Sequence, residues 1–267
     1  MKRVFLTGAS SGIGRAIAQS LTTRGDEVWG TSRDPARIPQ LPRLHPVGLD
    51  LSKPSSIEET FKSALAEANY FDVVINNAGG GHFGPAEKLS PEELAEQFQV
   101  LLFSHVKLLQ LALSAMQTRR QGLIINVTSL ASRLPVPFMA AYNAAKSAMT
   151  VFTMSLQLEL PDASVRIVDL QPGDICTAFN DAVNKSAQTE ARYERRLEKT
   201  WEAVDHNMRA APKPDLVAKH VLKLIDAPNP PPRITVGDMF QTKIAPMIFR
   251  FLPQRLRLWG LKKYYGI

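Results

Sequence analysis

The 267-residue chain contains 45% hydrophobic and 21% charged residues, which is typical of a globular protein and argues against intrinsic disorder. Its net charge is +7, but residues 239–267 carry six Lys and Arg and no acid, while the rest of the chain is nearly neutral. This concentration of charge in one short segment argues against a basic nucleic-acid groove along a face of the domain. The single cysteine, Cys176, permits no intrachain disulfide, and no continuous apolar run approaches the roughly 20 residues of a membrane-spanning helix, so we expect a cytoplasmic protein.

Short apolar runs alternate with longer amphipathic patterns along most of the chain. The first and the fourth to sixth runs are almost continuously apolar, as in parallel strands that are covered on both faces. Strand–helix alternation predicts right-handed βαβ units, and hence a single-domain doubly wound α/β Rossmann fold with a mainly parallel seven-stranded sheet. The predicted strands are 2–7, 27–31, 44–48, 72–76, 122–128, 164–170 and 233–236, and the predicted helices are 12–24, 55–68, 91–118, 140–160, 190–208 and 214–226.

Two segments depart from this alternation. Within the domain predicted over residues 1–238, residues 174–212 follow the sixth strand with a long polar helical pattern, for which a substrate lid and a solvated surface helix are both open interpretations. Residues 239–267 form a basic amphipathic tail, whose helical pattern Pro246 and Pro253 are expected to break. We expect the tail to cover the site as a lid or to pack on a second subunit. In the second interpretation, it lies at a membrane surface.

A glycine-rich turn joins the first strand to the first helix. Gly8 permits the tight turn, Gly12 permits close approach of the backbone to a pyrophosphate, and Gly14 lets helix and strand pack closely. The helix N-terminus then presents free N–H groups and a partial positive charge. This context predicts dinucleotide binding by Gly8, Ser10, Ser11, Gly12, Ile13 and Gly14.

The Gly-x-x-x-Gly-x-Gly spacing resembles that of the short-chain dehydrogenase/reductase family. Further motifs follow in that family's order within residues 1–180: Asn-Asn-Ala-Gly at 76–79, Tyr-x-x-x-Lys at 142–146 and a Pro-Gly loop from Pro172. The last third of the chain carries no specific motif. The resemblance implies an NAD(P)-dependent oxidoreductase that is a homodimer or homotetramer. It also implies cofactor contacts from Asp50, Leu51, Asn77, Ala78, Gly79, Tyr142, Lys146, Pro172, Gly173, Ile175 and Thr177.

The end of the second predicted strand bears on the choice of nucleotide. An acid there would bind the ribose hydroxyls of NAD, but position 32 is Ser32 and Arg33 follows it. A guanidinium binds a phosphate through two charge-assisted hydrogen bonds, so the sequence favours NADP(H) over NAD(H). In the other interpretation, Arg33 is a solvated residue that Asp34 neutralises.

Three residues are predicted to carry the chemistry. Tyr142 and Lys146 are four residues apart on a predicted helix and therefore share a face. A free tyrosine has a pKa of about 10, and we expect the Lys146 ammonium and an oxidised nicotinamide to lower it. Ser129 matches the family's catalytic serine and is expected to polarise the substrate oxygen, while the resemblance implies that Lys146 holds the nicotinamide ribose. Each residue alone is more often structural, but the combination favours catalysis.

The helix predicted over 91–118 departs from the family pattern. The family usually places an asparagine there, which supports a proton-relay water near the lysine, and the alignment puts Leu101 at that position and Ser104 where glycine is common. Because leucine cannot hold a water through its side chain, the relay is expected to be slower, to use another group or to be lost. His105, one turn further along, is expected to pack or to face solvent.

Apolar and aromatic groups are predicted at the substrate pocket, from residues 79–84, 135–139 and Phe179, with simple core packing as the alternative. They favour a small lipophilic ketone, aldehyde or secondary alcohol as substrate. The scattered histidines and lone cysteine predict no metal site. Two other functions stay open: reduction of carrier-bound 3-oxoacyl groups, and a catalytically weak NADP(H)-sensing binding protein.

Overall fold

The computed structural model describes residues 1–160, 164–186 and 190–267. Seven parallel strands form one sheet in the order β3-β2-β1-β4-β6-β7-β9, so the predicted doubly wound fold is confirmed, and two further strands pair separately as β5-β8. The strands are β1 (Arg3–Leu6), β2 (Glu27–Ser32), β3 (Leu44–Gly48), β4 (Val73–Asn76), β5 (Gly81–Phe83), β6 (Gly122–Val127), β7 (Val165–Pro172), β8 (Val183–Lys185) and β9 (Arg233–Val236).

Nine α-helices are present in the described residues. They are α1 (Gly12–Arg24), α2 (Pro54–Ala68), α3 (Pro91–Phe98), α4 (Ser104–Arg119), α5 (Ala140–Glu159), α6 (Ala191–Ala210), α7 (Asp215–Asp226), α8 (Ala245–Phe251) and α9 (Gln254–Tyr264). The six helices predicted from the sequence correspond, in order, to α1, α2, the segment from α3 to α4, α5, α6 and α7. The tail adds α8 and α9.

The core lies on both faces of the sheet, because alternate strand residues point in opposite directions. On one face Val4 and Leu6 of β1 pack with apolar side chains of α1 and α7. On the other face Phe5 packs with side chains of α2 and α4, and its ring lies 5.1 Å from that of Phe61. Each fully buried side chain of this size contributes about 1.5–3 kcal/mol, so β1 is held firmly from both sides.

Helices α3 and α4 form one continuous helical segment. Ser90 and Glu93 close a capping box at its start, and a π-helical turn, Gln99–Phe103, joins the two helices. By length and composition alone, Pro91–Arg119 is long and apolar enough to cross a membrane, although polar residues interrupt its apolar side chains. The segment packs on α2, on α5 and on strands of the sheet, as a layer helix of the domain does.

Two features differ from the sequence-based expectations. Pro246 does not break the tail helix: it lies in the first turn of α8, directly after a π-helical turn, Phe240–Ile244. Pro253 does separate α8 from α9. The β5–β8 pair was not predicted, because its short strands come from distant parts of the chain and lack a periodic pattern.

At Gly14, α1 lies very close to the glycine turn that follows β1. A Cβ at this position would lie 2.0 Å from Gly8 O and 2.6 Å from Asn77 Nδ2. We expect Gly14→Ala to lower the free energy of unfolding by about 1–3 kcal/mol in urea denaturation, because backbone has to move to admit the methyl group.

Gly260→Ala is the matched control. It lies in α9, and its Cβ would meet nothing within 4 Å. This variant should be unchanged or up to about 1 kcal/mol more stable, since alanine has the higher helix propensity. Equal effects of the two substitutions would contradict the steric explanation.

Candidate active site

One cleft of about 1210 Å³ opens at the carboxyl ends of the sheet strands, the edge at which open parallel sheets bind ligands. The structure brings every catalytic and cofactor-binding residue predicted from the sequence to this cleft. Its lining includes Gly8, Ser10, Ser11, Gly12, Ile13, Gly14, Arg33, Asp50, Leu51, Asn77, Ala78, Gly79, Ser129, Tyr142, Lys146, Pro172, Gly173, Ile175 and Thr177.

The glycine turn is fixed to the end of β4 by Thr7. Its Oγ1 accepts hydrogen bonds from the backbone N–H of Asn77 at 2.8 Å and of Ala78 at 2.9 Å. The Asn77 side chain returns a hydrogen bond to Thr7 O at 2.9 Å. Gly8 and Gly12 have positive φ angles of 75° and 52°, which the turn requires and other residues rarely adopt. The sequence analysis missed Thr7, although its position directly before the glycine turn was a signal.

The start of α1 fits a dinucleotide phosphate. Ser11 is the N-cap residue, yet its side chain accepts no capping hydrogen bond, and the first turn contains no acid. The N–H groups of that turn and the helix dipole are therefore available to an anion. Thr177, from the loop after β7, lies 3.4 Å from where a Cβ of Gly12 would be, so both loops border the same space.

The β2 end of the cleft carries two guanidinium groups, Arg33 and Arg37. Asp34 caps the short turn that follows it, because its carboxylate accepts a hydrogen bond from Ala36 N at 3.1 Å. Among the described residues it forms no ion pair with Arg33, so the interpretation in which Asp34 neutralises that arginine has no support. Burial alone would raise the pKa of Asp50, but hydrogen bonds from Ser52 and the nearby cations Lys53 and Arg33 outweigh it and lower that pKa.

Ser129 follows β6, and Tyr142 and Lys146 lie on α5, so two elements of the domain bring the three side chains together. The Ser129 hydroxyl oxygen accepts a hydrogen bond from Ala131 N at 3.0 Å, and the same hydroxyl is hydrogen-bonded with Tyr142. The Lys146 ammonium is 4% exposed, donates to Val127 O at 2.9 Å and lies 5.9 Å from the centroid of the Tyr142 ring.

The pKa of Tyr142 differs from the expectation. Burial raises it above the ordinary tyrosine value, the hydrogen bond with Ser129 opposes this shift, and the Asp174 carboxylate adds to it. The protein's own groups therefore raise this pKa, and Lys146 is not among the groups that lower it, contrary to the expectation from the sequence. The difference arises because spacing along a helix shows that two side chains are near each other but does not show how deeply they are buried.

Burial lowers the pKa of Lys146 to about 8, and the carboxylate of Asp169 opposes this shift. Asp169 is itself buried and fully hydrogen-bonded: its Oδ2 accepts from Arg233 Nε at 2.9 Å and from Gln171 Nε2 at 2.8 Å, while its Oδ1 accepts from the Thr128 hydroxyl. The sequence analysis missed this residue, although a lone acid in an apolar strand is unusual.

Leu101 lies close to Gly79, beside Lys146. Its side chain is fully buried in the π-helical turn and lies 3.0 Å from the Cβ position of Gly79, which is itself 3.9 Å from Lys146 Nζ. His105 packs inside rather than facing solvent. Burial and the charge of Lys146 lower the His105 pKa to about 3 against a hydrogen bond with the backbone of Leu101, so the ring is neutral. Its Nε2 has no partner among the described residues.

The tail forms much of the substrate end of the cleft. Gln241 binds Asp174 through both its amide atoms, and Tyr264 lies within hydrogen-bonding distance of Gln241 and Asn207, at 3.1 Å in each case. These contacts link residues far apart in sequence, so no local pattern predicted them. Apolar lining comes from Val136, Met139, Phe179, Phe240, Ile248, Phe249, Leu252, Leu256, Trp259 and Tyr265.

Two aromatic residues expected at the pocket edge lie outside the cleft lining. Phe83 packs against Trp201 of α6, with ring centroids 4.9 Å apart, and Phe138 lies 5.8 Å from Phe83 on another side. They belong to a small core beneath α6 that also includes Met139, Tyr142 and Phe179 of the cleft wall. Helix α6 itself contributes Val204, Asn207 and Met208 to the cleft, so one side of it borders the site while most of its surface is solvated.

Residues 2–188 match the family described as short chain dehydrogenase. The 3-ketodihydrosphingosine reductase of Bacteroides thetaiotaomicron is 29% identical over 266 residues, which cover 99% of this chain and 98% of that protein. The alcohol dehydrogenase of the archaeon Thermococcus sibiricus, solved with 5-hydroxy-NADP, is 27% identical with a TM-score of 0.72, covering 90% of this chain and 97% of that one. The 3-ketoacyl-(acyl-carrier-protein) reductase of Brucella melitensis, solved with NADH, is 25% identical with a TM-score of 0.70. The match covers 85% of this chain and 91% of that one.

The buried Lys146 should leave a signature in the pH dependence of stability. Unfolded lysine titrates near about 10.4, and the folded side chain near about 8. Between these values the unfolded chain binds more protons, so the free energy of unfolding rises with pH. We expect Lys146→Met to lack that rise and to be at least as stable as the wild type at pH 7, as measured by urea denaturation.

Lys219→Met, on the exposed side of α7, is the control and should keep the wild-type pH dependence. If Lys146→Met still gained stability between pH 8 and 10, or were clearly less stable than the wild type at pH 7, the charged Lys146 side chain would not be destabilising the folded protein.

Proposed function

The chain belongs to the short-chain dehydrogenase/reductase family, and from that premise we propose that it is an NADP(H)-dependent oxidoreductase that interconverts a lipophilic ketone and its secondary alcohol by a Ser129–Tyr142–Lys146 mechanism. Its oxidoreductase class, acting on CH–OH or C=O groups with NAD(P), follows from the family. The observation that carries the finer proposal is the meeting of these three side chains with the glycine turn in one cleft.

When bound, the nicotinamide supplies or accepts the hydride. Tyr142 donates the proton that the substrate oxygen needs in reduction, and its raised pKa keeps the phenol protonated at neutral pH. Ser129, which is hydrogen-bonded with Tyr142, turns its hydroxyl proton to the same substrate oxygen, where negative charge develops. Lys146 uses one N–H on Val127 O and keeps the others for the ribose hydroxyls and for the field that favours tyrosinate after proton transfer.

The preference for NADP(H) rests on charge at the β2 end of the cleft. Arg33 and Arg37 border it, position 32 is a serine, and the Asp34 carboxylate is engaged in capping. A 2′-phosphate gains charge-assisted hydrogen bonds there, whereas the ribose hydroxyls of NAD would meet no acid at the end of β2.

A lipophilic substrate is supported by the apolar lining at the tail end of the cleft. The full-length similarity to a 3-ketodihydrosphingosine reductase makes a 3-keto sphingoid base the first compound to test. A carrier-linked 3-oxoacyl group is the second candidate, favoured by the likeness to the Brucella reductase and by the cations of the tail, which an acidic carrier would meet. By family resemblance we also propose a homo-oligomer, and from the lone cysteine a cytoplasmic enzyme.

Tyr142→Phe tests the mechanism. We expect kcat for NADPH oxidation with a responsive ketone to fall by a factor of about 10² to 10⁴, since a positioned proton donor is lost. The Kd for NADPH, measured by fluorescence titration, should stay within about twofold because the cleft keeps its shape.

Tyr193→Phe, which removes a surface hydroxyl bonded to Glu87, is the matched control and should turn over like the wild type. Full activity of Tyr142→Phe would refute the mechanism. Tight NADPH binding by the wild type, without turnover of 3-ketodihydrosphingosine, 3-oxoacyl thioesters or a panel of ketones and aldehydes, would indicate the NADP(H)-sensing protein instead.

Arg33→Ala tests the nucleotide preference. A charge-assisted contact with a phosphate contributes about 1.5–3 kcal/mol, so the Kd for NADPH should rise by about one to two orders of magnitude, with little change for NADH. The exposed Arg196→Ala on α6 is the control. Equal loss of affinity for NADPH and NADH in Arg33→Ala would show that this arginine does not contact the 2′-phosphate.

A further inference from the structure

The tail displays an exposed apolar surface that nothing in the domain covers. Its side chains recur at helical spacing along the π-helical turn and α8 and continue along α9, and Phe251 is 78% exposed. Monomeric proteins rarely leave such a contiguous surface without a partner. We call it the tail face; it consists of Met239, Phe240, Ile244, Met247, Ile248, Phe251, Leu256, Leu258 and Trp259.

The tail face is continuous with the rim of the cleft. Four of its members are exposed and also line the cleft: Phe240, Ile248, Leu256 and Trp259. An apolar molecule bound at the tail face therefore reaches the substrate end of the cleft without crossing a polar boundary at these side chains.

Contacts on the opposite side of the tail hold the tail face outward. Gln241 is bonded to Asp174, and Tyr265 is buried against the domain. Arg257 donates to Leu252 O at 2.7 Å and to Arg250 O at 3.2 Å, which fixes the corner between α8 and α9. The apolar side chains therefore belong to an ordered, attached element.

The charged side chains within the tail are all positive. Residues 239–267 contain Lys243, Arg250, Arg255, Arg257, Lys262 and Lys263 and no acid. Within the described part of the chain, none of the six forms an ion pair, and the Lys263 ammonium lies 5.4 Å from the ring centroid of Trp259. Aromatic and aliphatic side chains flanked by unpaired Lys and Arg are the composition of helices that lie in the interface of an anionic bilayer.

We propose that the tail face binds the surface of a bilayer containing anionic lipid, and that a lipophilic substrate passes from this bilayer over the tail face into the cleft. The second step rests on the proposed function; the first does not. A second copy of the chain is a poorer occupant, because a symmetric contact places the same six cations opposite one another. Anionic headgroups neutralise these cations, while the acyl region accepts the apolar side chains.

Co-sedimentation of the full chain with vesicles tests the first step. At about 0.1 M salt, we expect strong binding to vesicles of phosphatidylcholine and phosphatidylglycerol at a 7:3 ratio and little binding to pure phosphatidylcholine. Met247→Ser/Phe251→Ser and Arg250→Gln/Arg255→Gln should each weaken binding to the mixed vesicles by about tenfold or more. None of these four residues lines the cleft.

Lys219→Gln/Lys223→Gln, which removes two exposed cations of α7, is the charge-matched control and should bind like the wild type. Absence of wild-type binding to the mixed vesicles, or unchanged binding by both tail variants, would overturn the proposal. So would an oligomer, measured by light scattering, that Met247→Ser/Phe251→Ser converts to monomer, because the tail face would then be a subunit interface.

Activity tests the second step. For Met247→Ser/Phe251→Ser, we expect unchanged NADPH oxidation with a short water-soluble ketone and an at least about fivefold lower rate with 3-ketodihydrosphingosine supplied in the mixed vesicles. Equal rates with the vesicle-borne substrate would refute entry over the tail face. Failure of the wild type to turn over either compound would instead count against the proposed function, since vesicle binding is measured without turnover.

Discussion

The buried ammonium of Lys146 is the constraint on which the arrangement of the site depends. A charge that is 4% exposed has to be compensated, and here the compensation comes from Val127 O and from the carboxylate of Asp169. Asp169 lies on β7, and its partners Thr128 and Arg233 lie after β6 and on β9. The register of three neighbouring strands thus supports one cation, and α5 carries that cation together with Tyr142.

The two ends of the cleft differ in polarity and in the elements that build them. At the Lys146 end, polar groups are fixed by hydrogen bonds among β1, β4 and β6, as Thr7 shows in holding the turn of Asn77. At the other end, the wall is mostly apolar and is built from the tail, which is attached through Gln241. The polar site residues are therefore positioned by the sheet, whereas much of the apolar wall is supplied by a segment added at its edge.

Much of this could be predicted from the sequence, because the decisive signals are local. The seven strands, the glycine turn and the spacing of Tyr142 and Lys146 depend on neighbours within a few residues, and all their positions proved right in the structure. What depends on tertiary burial could not be predicted. The raised pKa of Tyr142, the small core formed by Phe83 and the helix running through Pro246 all result from contacts between distant segments.

Leu101 shows how a single substitution relative to a family pattern acts through this constraint. Its apolar side chain packs on Gly79 beside Lys146, where an asparagine would offer polar atoms and attract water. Burial is the largest cause of the lowered Lys146 pKa, and a leucine at this position adds to it. His105 is neutral because the same cation lowers its pKa, so it brings no second charge to the site. The balance leaves a protonated phenol beside a lysine that stays charged only below about pH 8, the combination of charge states that carbonyl reduction requires.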